Sequence, residues 1–109
     1  MAQRILVTRL SSLGDIVLTA PVYRNIKAHW PDASICVLVK PQFGALLRNN
    51  PNIDEVLIYH SLRKTLQEIR KRNFTHLLDL HANLRTFLIR TLSRTIIPNI
   101  QVYRKDALA

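Results

Sequence analysis

The stretch Arg4-Ile-Leu-Val-Thr8, running directly into Arg9-Leu-Ser-Ser-Leu-Gly-Asp15, decides how the chain is read. Three consecutive apolar residues closed by a polar loop have the pattern of a short strand buried on both faces. Gly14, one of only two glycines in the chain, sits where the loop is expected to turn into a helix. Helical periodicity follows from about Ile16 to Trp30, and Pro31-Asp32 stops it. Pro21 falls inside this run, so regular helix is expected to begin near Thr19 or Pro21, where a missing N–H costs little. A buried strand, a polar loop and a helix are the opening unit of a parallel α/β sheet.

The same rhythm continues outward. Ser34-Ile-Cys-Val-Leu-Val39 reads as a second buried strand, and Phe43 to Arg48 as a short helix closed by Asn49-Asn50-Pro51. Glu55 to Tyr59 is a strand, and Leu62 to Arg72 an amphipathic helix with Leu62, Leu66 and Ile69 on one face. Thr75 to Leu80 is a fourth strand, Leu84 to Ser93 a helix, and Ile100 to Tyr103 a fifth strand. Strands alternating with helices through short connections imply a doubly wound parallel sheet. With 109 residues and no internal linker, residues 1–109 are expected to form one domain.

Composition narrows the class. At 48% hydrophobic and 21% charged residues, the chain carries enough apolar surface to order itself, which excludes disorder. No apolar run approaches the roughly 20 residues needed to span a bilayer. Met1 to Arg4, followed by Ile5-Leu6-Val7, lacks the long apolar core of a signal peptide, so a cytoplasmic location is expected. The single Cys36 excludes an internal disulfide. Sixteen Lys and Arg against seven Asp and Glu give a formal charge of +9. Such a surface attracts nucleic acid, anionic lipid headgroups or a phosphorylated substrate. Three Phe, three Tyr and one Trp, without clustering, offer no stacking platform for nucleic acid.

In doubly wound sheets ligands bind beyond the carboxyl ends of the strands. Two segments lie there: Arg9 to Asp15 after the first strand, and Asp79-Leu-His-Ala-Asn-Leu-Arg85 after the fourth. The absence of G-x-G-x-x-G and of a P-loop disfavours a nicotinamide dehydrogenase and a P-loop ATPase. Ser11 and Ser12 offer hydroxyls and N–H groups suited to anions or sugar hydroxyls. Asp15 would set a carboxylate at the cleft mouth, although on pattern alone capping of the next helix is the commoner job. Asp79 reads as a holder of backbone at a strand end, and His81 taken alone as a structural histidine.

Residues 4–22, with Ser-Ser-Leu-Gly-Asp15 at their centre, resemble the opening of glycosyltransferase family 9, the ADP-heptose:lipopolysaccharide heptosyltransferases. The similarity continues through Tyr23 to Pro31 and Asn50-Pro-Asn-Ile-Asp-Glu-Val56. It returns in Asp79 to Arg85, with a trace in Tyr103-Arg-Lys105, and so covers nearly the whole chain in the family's order. The resemblance implies a GT-B architecture, of which this chain would be the N-terminal, acceptor-binding, Rossmann-like half. It implies Asp15 as the general base of an inverting transfer. Arg9, Ser11, Ser12, Gly14, His81, Asn83 and Arg85 would then line the acceptor side. It calls for no metal and no cofactor, with ADP-heptose as donor substrate. The implied acceptor is an anionic glycolipid of the lipid A–Kdo type at the inner face of the inner membrane, and no nucleic acid partner is expected.

Two departures stand out. Ala82 takes the place of the glycine usual in its motif, and the donor-binding domain the resemblance implies is expected to lie outside these 109 residues. Little or no transfer is therefore expected from these 109 residues alone, and a complementing C-terminal domain on another chain is a possible partner. Two other readings stay open on the sequence: a small basic polyanion-binding module, and a related GT-B transferase with another donor sugar.

Overall fold

In the computed structural model, which describes residues 2–10, 13–80, 84–94 and 96–102, the run Arg4–Thr8 becomes the central strand β1. The others are β2 (Ser34–Val39), β3 (Glu55–Ile58), β4 (His76–Asp79) and β5 (Asn99–Val102). They form one sheet in the order β3-β2-β1-β4-β5, every adjacent pair parallel. Val7 aligns with Val37 of β2 on one side and with Leu78 of β4 on the other.

Alternation along each strand sends side chains to two separate cores. Ile5, Val7, Ile35, Val37 and Val39 join one cluster, while Leu6, Cys36, Leu38 and Leu77 join the other. The first core is closed by α1 (Leu13–Leu18), α2 (Ala20–His29) and α3 (Gly44–Arg48), which contribute Ile16, Tyr23 and Leu47. A 3-10 turn, Pro41–Phe43, leads into α3. The second core is closed by α4 (Leu62–Lys71) and α5 (Leu84–Ser93) through Ile69 and Ile89. Burial on both faces explains why the strands read as nearly unbroken apolar runs.

The first helical segment differs from its expected form. It starts earlier, at Leu13, and is split at Thr19 into α1 and α2. Pro21 occupies the first turn of α2, where its missing N–H is harmless. The Thr19 hydroxyl donates to the Ile16 carbonyl, and the Tyr23 hydroxyl lies 2.9 Å from it. Burial of that phenol pushes its pKa up to about 12.

An ion network closes the amino end of the sheet. Arg63, Lys64, Arg70 and Lys71 of α4 are exposed, whereas Arg72 at the helix end is half-buried and turned to acidic partners. It grips Glu55 at the start of β3 with two contacts, 2.9 and 3.0 Å, and Glu68 at 2.6 Å. Its carbonyl accepts from Arg4 Nε at 2.8 Å. Nearby, Asp54 accepts from Lys27 Nζ of α2 and from the Ile35 N–H of β2, both at 2.8 Å. Cys36 is buried in this region, and desolvation raises its thiol to about 12, so it stays protonated.

Candidate active site at the carboxyl ends of β1 and β4

The strand order makes β1 and β4 neighbours although about seventy residues separate them in sequence. From β1 the sheet is built one way through β2 and β3, and from β4 the other way to β5. The reversal opens a crevice beyond their carboxyl ends, where ligands of such sheets bind. Arg9 and Asp15 stand at the β1 side, and Leu80 at the β4 side.

Asp15 is the third residue of α1, inside its first turn rather than in front of it as a cap. Its carboxylate is ion-paired with Arg9, Oδ2 to Nη2 at 2.6 Å. This contact aims the side chain back at the strand end. Arg9 is 7% exposed, and its other terminal nitrogen, Nη1, donates to the Leu80 carbonyl at 2.8 Å. Its own N–H donates to the Leu38 carbonyl, and Leu80 N–H donates to Thr8 O. The guanidinium thus fastens the loop after β1 to the end of β4 and holds Asp15 from below. Arg9, expected on the acceptor side, is buried and holds two protein partners, Asp15 and the Leu80 carbonyl.

Beneath this pair lies a second charged group. Asp79 ends β4 fully buried, accepting from the Thr8 hydroxyl at 2.9 Å and pairing with Arg90 Nε of α5 at 2.9 Å. It therefore links two strands and a helix through its side chain, a larger job than holding local backbone.

Gly14 is the second residue of α1. It has no positive φ, and among the described residues a Cβ there would meet nothing within 4 Å. Neither backbone conformation nor internal packing demands a glycine at this position, contrary to the turn-forming reason expected from the loop. Among the described residues, the space a Gly14 side chain would take is unfilled. Ser11, Ser12, His81 and Asn83 lie outside the described residues, as does the side chain of Arg85. Among the described residues no helix is long and apolar enough to cross a membrane.

No family model matches the sequence. Lipopolysaccharide heptosyltransferase 1 of Campylobacter coli is 36% identical over 100 residues, which is 84% of this chain and 29% of that protein. The glycosyltransferase family 9 structure from Veillonella parvula superposes with a TM-score of 0.77 at 25% identity, covering 91% of this chain and 36% of that one. The chain belongs to glycosyltransferase family 9. The ADP-heptose lipopolysaccharide heptosyltransferase II of E. coli shares the fold, with a TM-score of 0.82 over 97% of this chain and 32% of its own. The doubly wound sheet is thus the Rossmann-like unit of a GT-B family 9 protein, and the chain spans about a third of the length of these relatives.

Proposed function

We propose that this domain is the acceptor side of an inverting glycosyltransferase that moves heptose from ADP-heptose to the lipopolysaccharide inner core. The observation that carries the reading is the Asp15 carboxylate, paired with Arg9 at the switch point of the sheet and 18% exposed. A carboxylate within hydrogen-bond reach of a sugar hydroxyl takes up its proton as that oxygen attacks the anomeric carbon. Attack from the face opposite the departing ADP inverts that carbon. Holding base and acceptor together is itself a large contribution to the rate.

The remaining roles follow from place. Ser11, Ser12, His81 and Asn83, which follow β1 and β4 in sequence, and Arg85, the second residue of α5, would contact the acceptor, and Gly14 would let it approach the backbone. The donor is assigned to a part of the protein outside these residues, in keeping with the two-thirds of each relative that the chain does not span. The net charge of +9 and the exposed cations Arg63, Lys64, Arg70 and Lys71 on α4 suit a phosphorylated glycolipid at an anionic membrane face. On this reading the charge serves a lipid-linked anion rather than nucleic acid.

The test is transfer from ADP-heptose to a lipid A–Kdo acceptor, with the chain supplied with the donor-binding half of a relative. Asp15→Asn should cut turnover about 10²-fold or more, the usual worth of a general base, and leave acceptor KM nearly unchanged. Near-normal turnover in that variant would remove Asp15 from the chemistry.

A further inference from the structure

We propose that Arg9 is a positioning residue for this transfer, fixing the Asp15 carboxylate against β4 so that it meets the acceptor hydroxyl in one orientation. The inference rests on the reading of Asp15 as the base and concerns how that base is held.

Three observations support it. The Arg9 side chain is 9% exposed and that of Asp15 18%, so the pair sits at the floor of the crevice with the carboxylate nearer solvent. The two terminal nitrogens divide their work: Nη2 meets Asp15 at 2.6 Å while Nη1 meets the Leu80 carbonyl at 2.8 Å. The backbone around Arg9 is fixed on both sides, by Arg9 N–H to Leu38 O at 3.1 Å and Leu80 N–H to Thr8 O at 3.0 Å. The guanidinium therefore joins a rigid strand end to a side chain on a six-residue helix.

That arrangement matters because α1 has only six residues. Val17 and Leu18, on its outer side, are 58% and 74% exposed. A six-residue helix is marginal unless tertiary contacts anchor it. Ile16 supplies an apolar anchor, and Arg9 a polar one. Only a planar fork can satisfy both partners at once; a lysine ammonium at the end of a flexible stem is a point charge without that geometry. Displacing a catalytic group by about 1 Å can cost on the order of 10²-fold in rate.

The experiment compares Arg9→Lys, Asp15→Asn and the double variant in the same transfer assay. Arg9→Lys, which keeps the charge, should lower kcat at least about tenfold, in line with a lost alignment, with acceptor KM within about threefold. The double variant should be no slower than Asp15→Asn alone, because both changes act through one carboxylate. If the two losses multiply, or if Arg9→Lys raises acceptor KM and spares kcat, the positioning role is overturned and Arg9 returns to the acceptor-binding residues. Normal turnover in Asp15→Asn would instead refute the base, and the proposal with it. Should the assembled wild-type enzyme transfer nothing, amide hydrogen exchange on the 109-residue chain decides. Arg9→Lys should then speed exchange in Leu13–Leu18 about tenfold and leave β2 and β3 unchanged; unaltered exchange in α1 overturns the proposal.

Discussion

Gly14→Ala separates what the fold needs from what the chemistry needs. Glycine inside a helix costs roughly 0.5–1 kcal/mol relative to alanine, because it loses more backbone freedom on folding. Gly14 lies in the first turn of α1, and among the described residues its Cβ would meet nothing within 4 Å. The lower figure, about 0.5 kcal/mol of stabilisation, is therefore the appropriate one. For a domain of this size that corresponds to a rise in Tm of roughly 2–4 °C. Thermal denaturation followed by circular dichroism would read it directly. Transfer by the reassembled enzyme should move the other way, falling about tenfold or more, because a methyl group would stand where the acceptor approaches Asp15. A rise in Tm without loss of turnover would show that the space beside Asp15 is not used by the acceptor. A fall in Tm would show that the space is already filled, and would refute the argument from packing.

Two further predictions concern stability. Glu55, Glu68 and Asp54 all titrate below their ordinary values of 4.5, 4.5 and 3.8: Arg72 holds down both glutamates, and at Asp54 the contacts with Lys27 and Ile35 outweigh burial. Groups with depressed folded pKa values contribute stability above their unfolded values and lose it as pH falls through the folded ones. Urea midpoints should therefore hold level down to about pH 5 and fall below about pH 4; Arg72→Met should lower the neutral-pH midpoint and flatten that acid limb, and an unchanged limb would remove the network from the account. Asp79→Asn keeps the shape of the side chain but leaves Arg90 without its carboxylate, and should cost about 2–3 kcal/mol in urea denaturation, somewhat less than a fully buried pair because Arg90 is partly exposed. A loss below about 0.5 kcal/mol, the range of an ordinary surface change, would mean that the Thr8 bond alone suffices.

The sheet was legible in the sequence because parallel strands buried on both faces must be apolar at nearly every position. Arg4–Thr8 and Ser34–Val39 carry that requirement openly, and both run where their residues indicate. Pro21 gave away an irregularity in the first helical segment, but not that a separate turn of helix precedes it. Gly14 hid that turn, since a glycine after two serines has the look of loop. The site was legible as a motif and not as a geometry. Asp15 could be singled out, yet its pairing with Arg9 spans six residues across a loop and matches no helical or strand spacing. The clue was an arginine at a buried strand end, a position that demands an internal partner. Arg72 was hidden for a different reason: it continues the basic run of α4, and although its contact with Glu68 has ordinary i,i+4 helical spacing, only the fold brings it to Glu55.

The Arg72 network and the Arg9–Asp15 pair occupy opposite ends of the same strands. The amino end is bolted by charges that touch β1, β2, β3, α2 and α4, while the carboxyl end carries the loops to which acceptor contact is proposed. Substitutions in those loops leave the far clamp untouched, so under the proposed function recognition could drift from one acceptor sugar to another while the scaffold keeps its shape. In an engineered library, diversity placed at residues 11–14 and 81–85 should be tolerated far better than the same diversity near Glu55, Glu68 or Arg72.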